Sequence, residues 1–233
     1  MIAVAMASQA IMAIFLIHTA ELSHTTNQEM MMKLYYSPGA CSLSPHIVLC
    51  ESGLEFAIEK VDLTAKKTVT GGDFLAISEN GYVPALEIEP GVVLTEGPAI
   101  VQYIADLVPT KKLAPTNGTM DRYRLQSWLG FINSELHKGF GALFTPGTPD
   151  AQKATVIAAL GKRFDTVEKR LTNHDYLLGA QFSVADAYLF VVCNWTGYVG
   201  IDLKKWPALA AHSARVGARP AVQAAMKAEG LIK

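Results

Sequence analysis

Apolar residues recur with one period in the first half of this chain and another in the second. Early on, short runs are bounded by turn residues. Lys33–Tyr36 is aromatic and stops at Ser37-Pro38-Gly39, while Phe56–Leu63 alternates in its second half, Lys60 and Asp62 against Val61 and Leu63. Both read as strands. Between them Leu43–Ser52, with Ile47, Val48 and Leu49 and the stop residue Gly53, reads as a helix. Strand, helix and strand make a βαβ unit. The polar stretch Thr64–Gly72 is expected to be loop, and Phe74–Ile77 a short helix. Ala85–Ile88 and Val92–Thr95 meet at Glu89-Pro90-Gly91, a hairpin signal. Glu96–Leu107 then carries one apolar face of Ile100, Tyr103, Ile104 and Leu107. The order βαβ-α-ββα predicts a four-stranded mixed sheet with helices on its faces, the layering of a small α/β domain.

Past Pro109 the pattern changes. Lys111–Gly118 is polar, contains Pro115 and reads as a linker. Beyond it only the helical period remains, over Arg122–Phe140, Ala151–Leu171, Ser183–Tyr198, Pro207–Gly217 and Ala221–Glu229. The expected organisation is an α/β domain over 32–111 and an all-helical domain over 118–233. Residues 1–31 stand apart. Met1–Ile17 is almost wholly apolar, and no Lys or Arg precedes Lys33, whereas a secretory signal wants a positive start. The run, broken by Ser8 and Gln9, is shorter than the ~20 apolar residues of a membrane span. It reads as an extension from an upstream start, with weak membrane association as the alternative.

Composition then narrows the function. Lys+Arg 20 against Asp+Glu 21, with no basic stripe, argues against nucleic acid as a partner. Cys41, Cys50 and Cys193 are too few and too unevenly spaced for a disulfide framework, which points to a reducing, cytoplasmic compartment. No C-x-x-C occurs and the six histidines fall in no ligand spacing, so no metal is expected. The absence of G-x-G-x-x-G and of a phosphate loop removes nucleotide cofactors.

The remaining chemistry centres on Cys41. It sits where the Pro38-Gly39 turn meets a helix start, and the positive end of a helix favours a thiolate. The plain alternative is a buried cysteine acting as a small hydrophobe, which is the reading given to Cys50 and Cys193. Val83-Pro84 is an X-Pro bond in a tight turn that is either cis or an ordinary turn. A proline so placed leaves the Val83 backbone outside the ladder, available to an extended peptide. Glu96-Gly97-Pro98 opens a helix, whose N–H groups suit a carboxylate while Glu96 suits an ammonium. Gly130, Ser134, His137 and Gly141 share a face of small and polar residues, where His137 either meets a bound thiol or is a surface histidine. Ser183-Val184-Ala185-Asp186 is a capping box, which makes Asp186 structural.

Taken together, four segments resemble a glutathione S-transferase of the bacterial beta class over 32–233. They are Lys33–His46, Gly81-Tyr82-Val83-Pro84, Leu94–Tyr103 and Phe182–Tyr188, in order and at family spacing. The resemblance implies a thioredoxin-like first domain, a helical second domain and a cytoplasmic homodimer active in detoxification. It implies glutathione as co-substrate, with no permanently bound cofactor. By position, Cys41 matches the cysteine that contacts the glutathione sulfur, with His137 near it. Val83 matches the backbone partner of the tripeptide, Glu96 and Gly97 the γ-glutamyl site, and Lys66 the site of the glycine carboxylate. Ser134, Glu135 and His137 match the wall from the second domain, and Tyr36 and Ser42 stand as backup donors to the sulfur. Two departures are Gly130, where relatives often carry asparagine, and Gly97, where many carry serine. The expected reaction joins the glutathione thiolate to an electrophilic carbon of a hydrophobic compound. The rivals are a glutathione-dependent thiol–disulfide oxidoreductase using Cys41 and a non-catalytic carrier of apolar ligands.

Overall fold

A computed structural model describes residues 31–233. The expectations for the apolar leader lie outside the described residues. Strand β1 (Met32–Tyr36) is followed by α1 (Leu43–Ser52), β2 (Phe56–Asp62), β3 (Lys67–Thr68), β4 (Ala85–Glu89), β5 (Val92–Thr95) and α2 (Gly97–Leu107). The sheet order is β3-β2-β1-β4-β5, with β1 and β2 parallel and the remaining pairs antiparallel. The sheet therefore has one strand more than the pattern predicts. The added strand β3 lies in the polar stretch expected to be loop, where pairing of Lys67 with Asp62 and Thr68 with Val61 makes an edge. Two polar residues carry no apolar alternation, so only the partner strand defines it.

Alternation along β1 divides two cores. Leu34 and Tyr36 face the large apolar core, while Tyr35 points to a small cluster with Val61, Phe74, Val83 and Ala85. On the large-core face, α1 buries Leu43, Ile47, Val48 and Leu49 together with Ser44 and His46. This helix is covered on nearly all sides because it lies between the sheet and the helices of the second half, and Gly53 ends it in the left-handed conformation at φ 73.

The helical half contains α3 (Met120–Phe131), the short α4 (Gly141–Phe144), α5 (Asp150–Leu171), α6 (Val184–Asn194), α7 (Pro207–Gly217) and α8 (Pro220–Ala228). The helix expected over Arg122–Phe140 is not uniform. After α3 the chain widens into a π turn over Ile132–His137 and tightens to a 3-10 turn over Lys138–Phe140. The helix predicted over Ser183–Tyr198 likewise ends at Asn194 and continues as a 3-10 turn, Trp195–Val199.

One apolar core runs through both halves, and three polar ties reinforce the junction. Buried Arg122 grips Asp106 of α2 through two bonds of 2.7 and 2.8 Å. Arg219 grips Glu51 of α1 at 2.6 and 2.9 Å while lying 4.0 Å from the Phe182 ring centre. Glu229, just past α8, meets His46 of α1 at 2.8 Å. Bidentate pairs of this kind fix geometry as well as adding energy. Ser183 and Asp186 form the expected capping box at the start of α6.

Candidate active site

The loop from Ser37 to Ser42 is clamped from inside and outside. Ser42 Oγ accepts from the Ser37 N–H at 3.1 Å and donates to the Ser37 carbonyl at 3.2 Å. Gly39, at φ +70, donates its N–H to Glu229 Oε2 and accepts from Trp195 Nε1, both at 2.9 Å. A left-handed backbone with a carboxylate and an indole on its two polar groups suits glycine. The clamp fixes Cys41, whose Sγ donates to the Val83 carbonyl at 3.2 Å.

Burial pushes the Cys41 thiol up to about 11, against the smaller opposing effect of the Cys41 and Ser42 N–H groups. The expectation of a dipole-stabilised thiolate is therefore corrected. Cys41 stands two residues before α1, and loss of water outweighs the helix terminus. The backup donors also fall away. Ser42 is fully buried and spends its hydroxyl on the loop, while buried Tyr36 packs on the His46 ring at 6.0 Å.

Opposite Cys41, the Val83–Pro84 bond is cis and Val83 lies just before β4, outside its ladder. Its carbonyl is engaged by Cys41, so it is less open than the sequence suggests. Next to it, α2 begins at Gly97. The Glu96 carbonyl takes the N–H groups of Ala99 and Ile100, and proline has none, which leaves the Gly97 N–H as the terminal donor. Glu96 itself is exposed, makes no side-chain cap and holds φ at +68. A non-glycine residue in that region is strained by about 1–3 kcal/mol, a cost found mostly at functional sites.

The third wall comes from the π turn. It presents Asn133, Ser134 and His137 together to the cleft, with Lys138 of the following 3-10 turn beside them. Gly130, in the regular helix before it, is exposed and does not line the cleft. His137 Nδ1 is 2.6 Å from the Tyr188 hydroxyl, which donates to Asn133 Oδ1 at 2.9 Å. The Trp195 ring meets His137 edge-on at 4.8 Å. Burial, aided by the Lys138 charge, holds the His137 pKa below its ordinary value, so the ring is neutral at pH 7.

Two cavities meet here. One, of about 860 Å³, runs along Val83, Glu96, Gly97, Asn133 and Ser134. The other, of about 360 Å³, lies between Pro38, Gly39, Phe144, Trp195 and Tyr198. Cys41 and His137 line both. Lys66 stays behind the first wall, its Nζ on the Gly81 carbonyl at 2.8 Å and 5.6 Å from the ring centre of Tyr82, which does line the cavity. Glu135 is outside both, paired with Arg163 at 3.0 Å. Asn133 and Tyr188 line the first cavity and Trp195 the second, roles that the sequence pattern alone does not assign. Tyr188 carried the clearest signal, a hydroxyl in a strongly apolar helix that must find a partner. Among the described residues no group of three or more His, Cys, Asp or Glu is placed to hold a metal ion. No described helix is long and apolar enough to cross a membrane.

Comparison with known proteins gives this geometry a family. Residues 30–106 match the glutathione S-transferase N-terminal domain, and residues 131–220 match the C-terminal domain. The chain is 46% identical over 200 residues to glutathione S-transferase GstA of Escherichia coli O157:H7, covering 86% of this chain and all of that one. A sphingomonad glutathione S-transferase solved in complex with glutathione is 50% identical with a TM-score of 0.83, covering 86% of this chain and all of that one. The bacterial beta class enzyme of Sphingomonas chungbukensis has the same identity, TM-score and coverage. A thiol-bearing loop, a cis-proline wall and a helical wall around one cleft thus recur in a chain that belongs to the glutathione S-transferase family, among its bacterial beta-class members.

Proposed function

We propose that this chain is a glutathione transferase that binds glutathione in the larger cavity and an apolar electrophile in the smaller one. The observation that carries this reading is the shared lining: Cys41 and His137 alone belong to both cavities. A sulfur held at that junction faces the second reactant, and holding reactants in place removes much of the entropic barrier.

In this reading the α-amino acid end of glutathione lies at Glu96 and the start of α2, where a carboxylate meets an ammonium and the Gly97 N–H meets a carboxylate. The backbone of Val83 pairs with the extended middle of the tripeptide. Ser134 donates from the helical wall. Lys66 and Glu135 belong to the outer ends of the site, the lysine taking the glycine carboxylate past Tyr82. Neutral His137 takes the thiol proton. The thiolate then forms a C–S bond as the bond from carbon to its leaving group breaks, and that group departs with the electron pair. Such conjugation suits detoxification.

A second copy of the chain completes the assembly in this reading, supported by exposed Tyr82, Met120 and Tyr123. Three cysteines kept as free thiols fit the cytoplasm. The rival with Cys41 as nucleophile is disfavoured by burial, which keeps its thiol protonated at neutral pH.

The test is thioether formation from glutathione and an aryl halide, with the initial rate followed over both concentrations. Saturation in both, retained in Cys41→Ala, is expected. A rate equal to the uncatalysed one while glutathione binds would leave the carrier reading in possession of the cleft. Disulfide reduction that vanishes with Cys41, in the absence of conjugation, would favour the oxidoreductase.

A further inference from the structure

His137 touches the cleft with its ring and the protein with Nδ1, so the proton on that ring decides what the cleft receives. The Tyr188 hydroxyl has one proton, and it goes to Asn133 Oδ1, an atom that can only accept. The phenol oxygen is left with lone pairs, and it lies 2.6 Å from His137 Nδ1. Two acceptors do not bond each other, so with the amide in this orientation Nδ1 carries the hydrogen. We propose that Tyr188, oriented by Asn133, fixes His137 in the Nδ1–H tautomer, leaving Nε2 as the bare acceptor for the glutathione thiol proton. Tyr188 and Asn133 are thus positioning residues for the reaction. The inference rests on the function read above for this cleft.

The surroundings favour the arrangement. Tyr188 is 2% exposed, so its hydroxyl is held mainly by these two side chains at the wall of the cleft. Burial raises its pKa well above the ordinary phenol value, and it stays protonated. The Trp195 ring, 4.8 Å away and edge-on, limits rotation of the imidazole. The titratable groups around the trio are Cys41 on the loop, Glu96 at the start of α2 and Lys138 on the following turn. None of them hydrogen-bonds either nitrogen of His137 among the described residues. The π turn matters too, since it brings Asn133 and His137 to one hydroxyl on α6.

The opposite arrangement is chemically distinct. If the Asn133 amide were turned, its NH₂ would donate to the phenol, the phenol would donate to Nδ1, and Nε2 would carry the hydrogen. His137 would then be a donor to the cleft rather than a base.

The experiment is ¹⁵N side-chain NMR of the full chain at pH 7, with His137 assigned by its loss in His137→Gln. A protonated Nδ1 and bare Nε2 are expected, and a protonated Nε2 overturns the proposal. Tyr188→Phe keeps the ring and removes only the hydroxyl. It should move the tautomer ratio about fivefold toward Nε2–H, the weight of one net hydrogen bond. kcat should fall by a similar factor while the KM for glutathione holds. Asn133→Asp, which can only accept, should keep the wild-type tautomer. An unchanged ratio in Tyr188→Phe also overturns the proposal. Since the NMR reading needs no turnover, a chain with the Nδ1–H tautomer but no transferase activity would remove the function assigned to the cleft and leave the tautomer relay standing.

Discussion

Glu96 and Asp186 both stand at the start of a helix, yet the chain uses them in opposite ways. Asp186 is fully buried, and its carboxylate accepts from Leu177 N–H, Ser183 N–H, Ser183 Oγ and His212 Nε2 at 2.7 to 2.9 Å. Glu96 is exposed, accepts nothing as a cap and holds a positive φ beside the cleft. One acid has been spent on the fold, while the other keeps its charge available at the expense of backbone strain. Burial and local hydrogen bonds thus separate a structural acid from a binding acid where residue type and helix position do not.

The largest expected effect comes from breaking the saturated side of this comparison. Asp186→Ala leaves four buried donors without a partner, so unfolding by denaturant should show a loss of about 3–5 kcal/mol. A loss under 1 kcal/mol would mean that the carboxylate is replaceable. On the open side, Glu96→Gln should leave stability unchanged and raise the glutathione KM about 10- to 100-fold, the worth of a charged hydrogen bond. Glu96→Gly should weaken binding equally and gain about 1 kcal/mol of stability, because glycine adopts the positive φ without strain.

A smaller effect separates spare capacity from ionisation. With its thiol raised to about 11 from 9.0, Cys41 is protonated at pH 7, so its alkylation, followed by peptide mass, should be slow there. The rate should climb about tenfold per pH unit and not level off below pH 10, since thiolate fraction follows the pKa. Stability moves in the opposite direction with pH. A raised folded pKa contributes stability below pH 9 that is lost as pH rises through about 11. A plateau near pH 7 would restore the dipole-stabilised thiolate. Smallest of all, Gly130→Ala has open space around the added carbon and should gain about 0.5–1 kcal/mol with no change in glutathione KM. A changed KM would place Gly130 in the site.

Most of the architecture was readable because it depends on local pattern. The βαβ start, the hairpin at Pro90 and the helical second half follow from alternation, turn residues and helix period. Cys41, Val83, Glu96, Gly97, Ser134 and His137 do line one cleft, although they come from four separate elements. What stayed hidden depends on neighbours distant in sequence. Strand β3 exists through β2, and the π turn shifts which residues face the cleft, replacing Gly130 with Asn133. The balance at Cys41 is hidden for the same reason. The helix start is visible in sequence, but the desolvation of a thiol held against the Val83 carbonyl is not, and burial wins. The tether from Glu229 to His46 and Gly39 spans nearly the whole described chain, and no local signal announces it.

In the proposed mechanism the cleft ionises the sulfur of glutathione rather than that of Cys41. The most direct test is the ultraviolet thiolate absorbance of glutathione bound to the Cys41→Ala variant, titrated with pH. Thiolate should appear well below the ordinary thiol pKa of about 8.5, and that shift should be lost in His137→Gln. Thiolate that forms only at the ordinary value, or only when Cys41 is present, would contradict it.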